Sequence, residues 1–120
     1  ADAFAGLDLR GRAVLVHTGW SRFWRTEAYL SNHPFLTEAA AQALVEACAA
    51  FVGIDSHNID DTRSRGRPVH TLLLGADIPI GEHMTGFDQL PDSGFRFSAV
   101  PPKVKGMGTF PVRAFAVIGS

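Results

Sequence analysis

The chain has 120 residues, 46% hydrophobic and 19% charged, which is room for one modest core and too apolar for a disordered chain. Its net charge of -1, from 11 basic and 12 acidic residues, excludes attraction to nucleic acid or anionic lipid by bulk charge. One cysteine, Cys48, excludes an internal disulfide, and no apolar run approaches the roughly 18 residues of a membrane span.

Ala13–Val16 is a continuous apolar run after the turn-forming Asp8-Leu9-Arg10-Gly11, and it predicts a strand buried on both faces. It ends at Thr18-Gly19-Trp20. Residues 21–36 have no clean period and read as a loop with room for a short helix. The clearest helix begins at Thr37, a good N-cap, with Glu38 at the positive end of the helix dipole. Leu44, Cys48 and Phe51 share one face of it, so Cys48 is expected in the core. Val52-Gly53-Ile54-Asp55 reads as a second buried strand, and strand, helix, strand predicts a right-handed βαβ crossover.

Asp60 to Pro68 is polar and reads as a loop. Its Arg63, Arg65 and Arg67 have no interleaved aromatic residues to stack bases, so a solvated face is expected. His70 to Leu74 is a short helical or turn segment closed by Gly75. Ile78-Pro79-Ile80 suggests an edge strand, because Pro79 donates no ladder hydrogen bond. Phe95–Val100 and Val112–Ile118 complete an α/β chain with several strands and one solid helix.

Two segments have the residue types of a metal site. His70 follows a flexible loop at the start of an apolar segment, and Glu82 lies just beyond a short apolar strand. Ends of strands are where α/β proteins place their sites, and imidazole with carboxylate suits zinc or manganese. A His and a Glu 12 positions apart also occur by chance, so spacing alone leaves open a surface Glu and a hydrogen-bonded His. Trp20 and Trp24 are candidates for an aromatic pocket wall or for packing. Asp55 is a strand-end residue suited to a turn or to a supporting role. His17 is expected as a hydrogen-bonded core residue, and His33 and His57 in loops.

Leu7-Asp8-Leu9-Arg10-Gly11-Arg12-Ala13-Val14-Leu15-Val16-His17-Thr18-Gly19-Trp20, His33-Pro34-Phe35-Leu36-Thr37, Val52-Gly53-Ile54-Asp55-Ser56, the His70 segment, Glu82, Lys103-Val104-Lys105-Gly106 and Pro111-Val112-Arg113-Ala114 occur in this order. This ordered set resembles the C-terminal part of the kynurenine formamidase and cyclase family of metal-dependent hydrolases. The resemblance implies a swivelling β/β/α fold, residues 1–120 forming the C-terminal portion of a single hydrolase domain. It also implies a divalent metal, zinc or manganese, held in part by His70 and Glu82. The activity it implies is hydrolysis of an amide or cyclic ester; a partly aromatic substrate pocket is expected, with Trp20 the best candidate for it from this chain. The family's H-x-G-T-H-x-D-x-P-x-H motif, which carries the other metal ligands and the proposed acid and base, does not occur here; no two histidines stand four apart. No catalytic residue is therefore expected in this chain. The expected partners are the N-terminal half of the same protein, or a second chain supplying it, and further copies in a homo-oligomer. The alternative is a truncated, non-catalytic assembly or binding module of the same fold. Neither nucleic acid nor membrane is expected as a partner, and cytoplasmic residence is.

Overall fold

The computed structural model describes residues 2–119 and is a mixed α/β chain. It divides into two compact units, residues 1–87 and 88–120. In the first, β1 (Ala13–Val16), β2 (Phe51–Ile54) and β3 (Ile80–Gly81) form a parallel sheet in that order. The helix α1 (Glu38–Glu46) connects β1 to β2, and α2 (Pro68–Gly75) connects β2 to β3. Parallel neighbours need such crossovers, since a tight turn can only return a strand antiparallel.

The alternation of side chains along the strands decides which face meets the helices. Val52 and Ile54 are fully buried with Ala41 and Leu44 of α1 and Val69 and Leu73 of α2, and Val14, Val16 and Ile80 pack against the same cluster. The opposite face is narrow at two facing glycines. A Cβ on Gly53 would sit 2.7 Å from Met84 Sδ and 2.9 Å from Leu15 Cδ2; one on Gly81 would sit 2.7 Å from both Met84 Cε and Phe51 Cζ. The absent side chains let Met84 and Phe51 lie against the backbone.

The helix start is as read from sequence: Thr37 Oγ1 accepts from the Ala40 N–H at 3.1 Å. Its end is earlier than the apolar spacing suggests. α1 stops at Glu46, and Cys48 takes a left-handed conformation (φ 58°) that turns it to the exterior, so it is exposed and not a core residue. β1 also differs from expectation. It is half-buried and pairs only with β2 among the described residues, which makes it an edge of this sheet. β3 starts one residue after Pro79, whose carbonyl accepts from Val52 N–H at 3.0 Å, so the proline sits where only an acceptor is needed.

The second unit is an antiparallel hairpin of β4 (Phe95–Val100) and β5 (Arg113–Ile118), with Phe95 opposite Ile118 and Val100 opposite Arg113. Val100, Phe115, Val117 and Ile118 are exposed on it. Among the described residues, no helix is long and apolar enough to cross a membrane.

Candidate metal centre

The loop that leaves β2, residues 55–60, connects the parts of the candidate site. Its side chains and backbone reach four other segments. Asp55, fully buried, accepts from Thr18 N–H (2.9 Å) and Thr18 Oγ1–H (2.6 Å) on one oxygen and from Gly19 N–H (2.8 Å) on the other. A carboxylate with three donors is well matched to burial, and it fixes the turn after β1. Ser56 Oγ donates to the Pro34 carbonyl at 2.8 Å, and the Ser56 carbonyl accepts from His83 N–H at 2.9 Å.

Asp60 acts as a helix cap from a distance. α2 has Arg67 at its N-cap without a side-chain hydrogen bond, and Pro68 at its first position lacks an N–H. The next two N–H groups, of Val69 and His70, donate to Asp60 Oδ1 and Oδ2, both at 2.9 Å. These are the donors that a local cap residue ordinarily satisfies. The negative charge also lies at the positive end of the helix. Asp60 Oδ2 accepts from a third donor, the His70 ring at Nδ1, 2.7 Å away. The proton is thereby held on Nδ1, which leaves the lone pair on Nε2.

Nε2 of His70 lies 3.5 Å from Glu82 Oε2. That same oxygen accepts from the Ile59 N–H at 2.7 Å. The structure thus brings together the two residues singled out from sequence, and adds the two that orient them, Asp60 and the Ile59 N–H. In the neutral Nδ1–H imidazole, Nε2 and Oε2 are two acceptors facing one another without a hydrogen between them, an arrangement that a cation, a proton or a metal ion, relieves. Two ligands of one tetrahedral zinc, each about 2.0 to 2.1 Å from it, stand about 3.4 Å apart. The observed separation and donor types therefore fit a divalent metal. Two ligands are an open set, and among the described residues no group of three or more His, Cys, Asp or Glu is placed to hold a metal ion.

The remaining candidates separate clearly. Trp20 donates its indole N–H to the Tyr29 carbonyl at 2.8 Å and packs edge-on to Phe23, centroids 4.7 Å apart. Trp24 is 51% exposed and meets Tyr29 edge-on. His17 is exposed rather than in the core, edge-on to Phe87. His33 is buried in its loop, bonded to the Pro34 carbonyl and to Thr62 Oγ1. Arg63 pairs with Asp61 in the exposed loop expected there, and the pair holds the Asp61 carboxyl below its ordinary value.

An aromatic cluster borders the Glu82 segment. The Tyr29 hydroxyl is 3.0 Å from His83 Nδ1, and the rings of Trp24, Tyr29 and His57 lie 5.9, 5.7 and 5.5 Å from that of His83. Burial, then the charges of Asp55 and Glu82, push the Tyr29 phenol up to about 12. Burial and the neighbouring His33 and His83 lower His57, against a smaller opposing pull from Glu82. Asp60 and this cluster were not singled out from sequence. Asp60 gives no local signal, since the backbone it caps begins nine residues later.

Residues 4–61 match the family model described as putative cyclase. Among solved structures, isatin hydrolase A from Ralstonia solanacearum superposes with a TM-score of 0.83 at 26% identity, over 98% of this chain and 49% of that one. A predicted metal-dependent hydrolase from Bacillus stearothermophilus gives 0.77 at 29% identity, over 94% of this chain and 53% of that one. A potential metal-dependent hydrolase with cyclase activity gives 0.72 at 29% identity, over 94% and 54%. The chain spans about half the length of these neighbours, all of them hydrolases. A search of curated proteins finds no match. The cyclase-family resemblance seen in the ordered motifs therefore holds, and the fold is that of these hydrolases over the part the chain covers.

Proposed function

We propose that this chain is the metal-binding part of a cyclase-type hydrolase that opens an amide or a cyclic ester, with His70 Nε2 and Glu82 Oε2 as two ligands of one zinc or manganese ion. The observation that carries the reading is the pair of acceptors 3.5 Å apart, each fixed from behind, His70 by Asp60 and Glu82 by the Ile59 N–H. A hydrogen-bond partner behind each ligand, an acceptor for the imidazole N–H and a donor for the carboxylate, is what metal sites use to set tautomer and direction.

A bound divalent metal supplies Lewis acidity at the substrate carbonyl and a water of lowered pKa. The residues of this chain do the positioning. Asp60 keeps the His70 proton on Nδ1, and the Ile59 N–H holds Glu82 to one direction. Trp20 is proposed as a wall of the substrate pocket through its ring face, because its N–H is already bonded to Tyr29. The remaining ligands and the proton-transferring group come from a further segment, on the same polypeptide or on a second chain. The partial coverage of the neighbours supports that part of the reading.

Metal analysis after dialysis against zinc or manganese tests the ligand assignment. Glu82→Gln keeps the shape and removes the charge. Its affinity should fall by at least the about 10- to 100-fold that loss of an outer hydrogen-bond partner costs a metal site. Equal occupancy in the variant refutes the assignment and favours a non-catalytic module of the same fold. Intact-mass measurement of the purified protein then shows whether a second polypeptide accompanies this one.

A further inference from the structure

The loop between β2 and α2 borders a cavity of about 140 Å³ that the metal centre does not use. Asp60, Asp61, Ser64, Arg65 and Arg67 are on its wall. A water molecule occupies about 30 Å³ in the liquid, so the space is large enough for a small solute group.

The charges on this wall are unevenly satisfied. Asp60 is 2% exposed, and its two oxygens already accept from the Val69 N–H, the His70 N–H and the His70 ring. Asp61 is taken by Arg63, whose Nε and Nη2 donate to Oδ1 and Oδ2 at 2.9 and 3.0 Å. Neither carboxylate needs a cation from the cavity. The guanidiniums of Arg65 and Arg67, by contrast, have no hydrogen bond or ion pair to any described residue. Ser64 Oγ accepts from the Gly66 N–H at 3.2 Å, and its own hydrogen is left to donate. The root of Arg67 is fixed, since it caps α2 and its carbonyl accepts from the Thr71 N–H at 3.0 Å.

We propose that this cavity binds a phosphate group, with the Arg65 and Arg67 guanidiniums and the Ser64 hydroxyl as its donors. A guanidinium presents a planar fork of N–H groups that matches phosphate oxygens. A phosphate monoester has a charge of about −1.5 to −2 at neutral pH, which balances the two free cations; a carboxylate balances one. The chain as a whole has a net charge of -1, so affinity for an anion has to be local. Asp60 is the wall residue shared with the metal centre, but the phosphate site is independent of the hydrolase reading.

Inorganic phosphate at mildly alkaline pH is the probe. It is titrated into the metal-free, isotope-labelled 120-residue chain, with sodium chloride holding the ionic strength constant. Nitrogen–proton correlation spectra should show saturable shifts at the Nε–H groups of Arg65 and Arg67 and at the backbone of residues 64–67. Acetate should move the same groups without saturating over the same range. Arg65→Gln and Arg67→Gln should each weaken phosphate binding about three- to tenfold, less than a buried charge-assisted bond gives, because both side chains are exposed. The double variant should lose saturation. Arg10→Gln removes an exposed charge from another turn and should leave phosphate affinity as in the parent. Absence of saturation in the parent, an equal response to acetate, or an equal loss in Arg10→Gln overturns the proposal. The metal assignment is tested by Glu82→Gln and this site by the two arginine variants, so the two readings fail separately.

Discussion

Replacing Asp60 with Asn isolates the residue that couples the helix start to the candidate ligand. The carboxylate accepts three hydrogen bonds and is 2% exposed, so water does not replace what is lost. An amide has one oxygen, so at least one of the Val69 and His70 N–H groups must face an NH2 group instead of an acceptor. An unsatisfied buried donor costs about 1 to 3 kcal/mol, and the surviving bonds weaken from charge-assisted to neutral. Loss of a negative charge at the helix start adds about 0.3 to 1 kcal/mol. Together these give a destabilisation of about 3 kcal/mol, a large share of the roughly 5 to 15 kcal/mol that holds a domain together. The second effect is on His70. If the Asn NH2 group faces Nδ1, the ring proton moves to Nε2, and the nitrogen nearest Glu82 ceases to be a ligand. Zinc affinity should then fall about 10- to 100-fold. Urea denaturation of the metal-free chain reads the first effect and zinc titration of the folded variant reads the second. A variant within about 0.5 kcal/mol of the parent, with unchanged zinc affinity, would refute both the capping and the tautomer argument.

Gly53→Ala should destabilise the chain by about 1 to 3 kcal/mol, since its Cβ would overlap Met84 and Leu15; a urea midpoint equal to that of the parent rules the clash out. Trp20→Phe keeps a ring face but removes the N–H to Tyr29, so it should lower stability by about 1 kcal/mol and keep substrate binding in the complete enzyme, whereas Trp20→Ala should lose both. Equal kinetics for Trp20→Ala would remove Trp20 from the pocket. Size-exclusion chromatography with light scattering should show association or aggregation of the isolated chain, because Val100 (52%), Phe115 (44%) and Ile118 (54%) are exposed on a two-stranded hairpin, which is marginal by itself. A monomer that persists on dilution contradicts this.

The elements with strong local signals were legible in the sequence. Ala13–Val16, the Thr37 cap, the strand ending at Ile54 and the hairpin strands lie within a residue or so of where apolar runs and turn residues place them. The failures have a common cause. Cys48 fits the helical period of Leu44, but the helix stops at Glu46 and the backbone is left-handed at Cys48 itself. His17 continues an apolar strand, yet its position is decided by the end of β1 and by what lies beside it. His70 and Glu82 stood out because their residue types suggest ligation. Asp60 did not, since capping at a distance depends on the path of the chain between residues 60 and 68 and leaves no periodic trace. The Tyr29–His83 pair spans 54 positions and is likewise a product of the fold.

The loop after β2 has a consequence for how length changes are tolerated. Surface connections ordinarily accept insertions and deletions at little cost. Between Asp55 and Asp60 one added residue would displace Ser56, Ile59 or Asp60 from partners in three separate segments, so this stretch should be as intolerant of length change as a core strand. A few positions further on, residues 63–66 are exposed, and Arg63 pairs with Asp61 two positions away and lies over the Phe35 ring. A tag, a cleavage site or a spacer belongs there, as close to the metal centre as the chain allows without moving it.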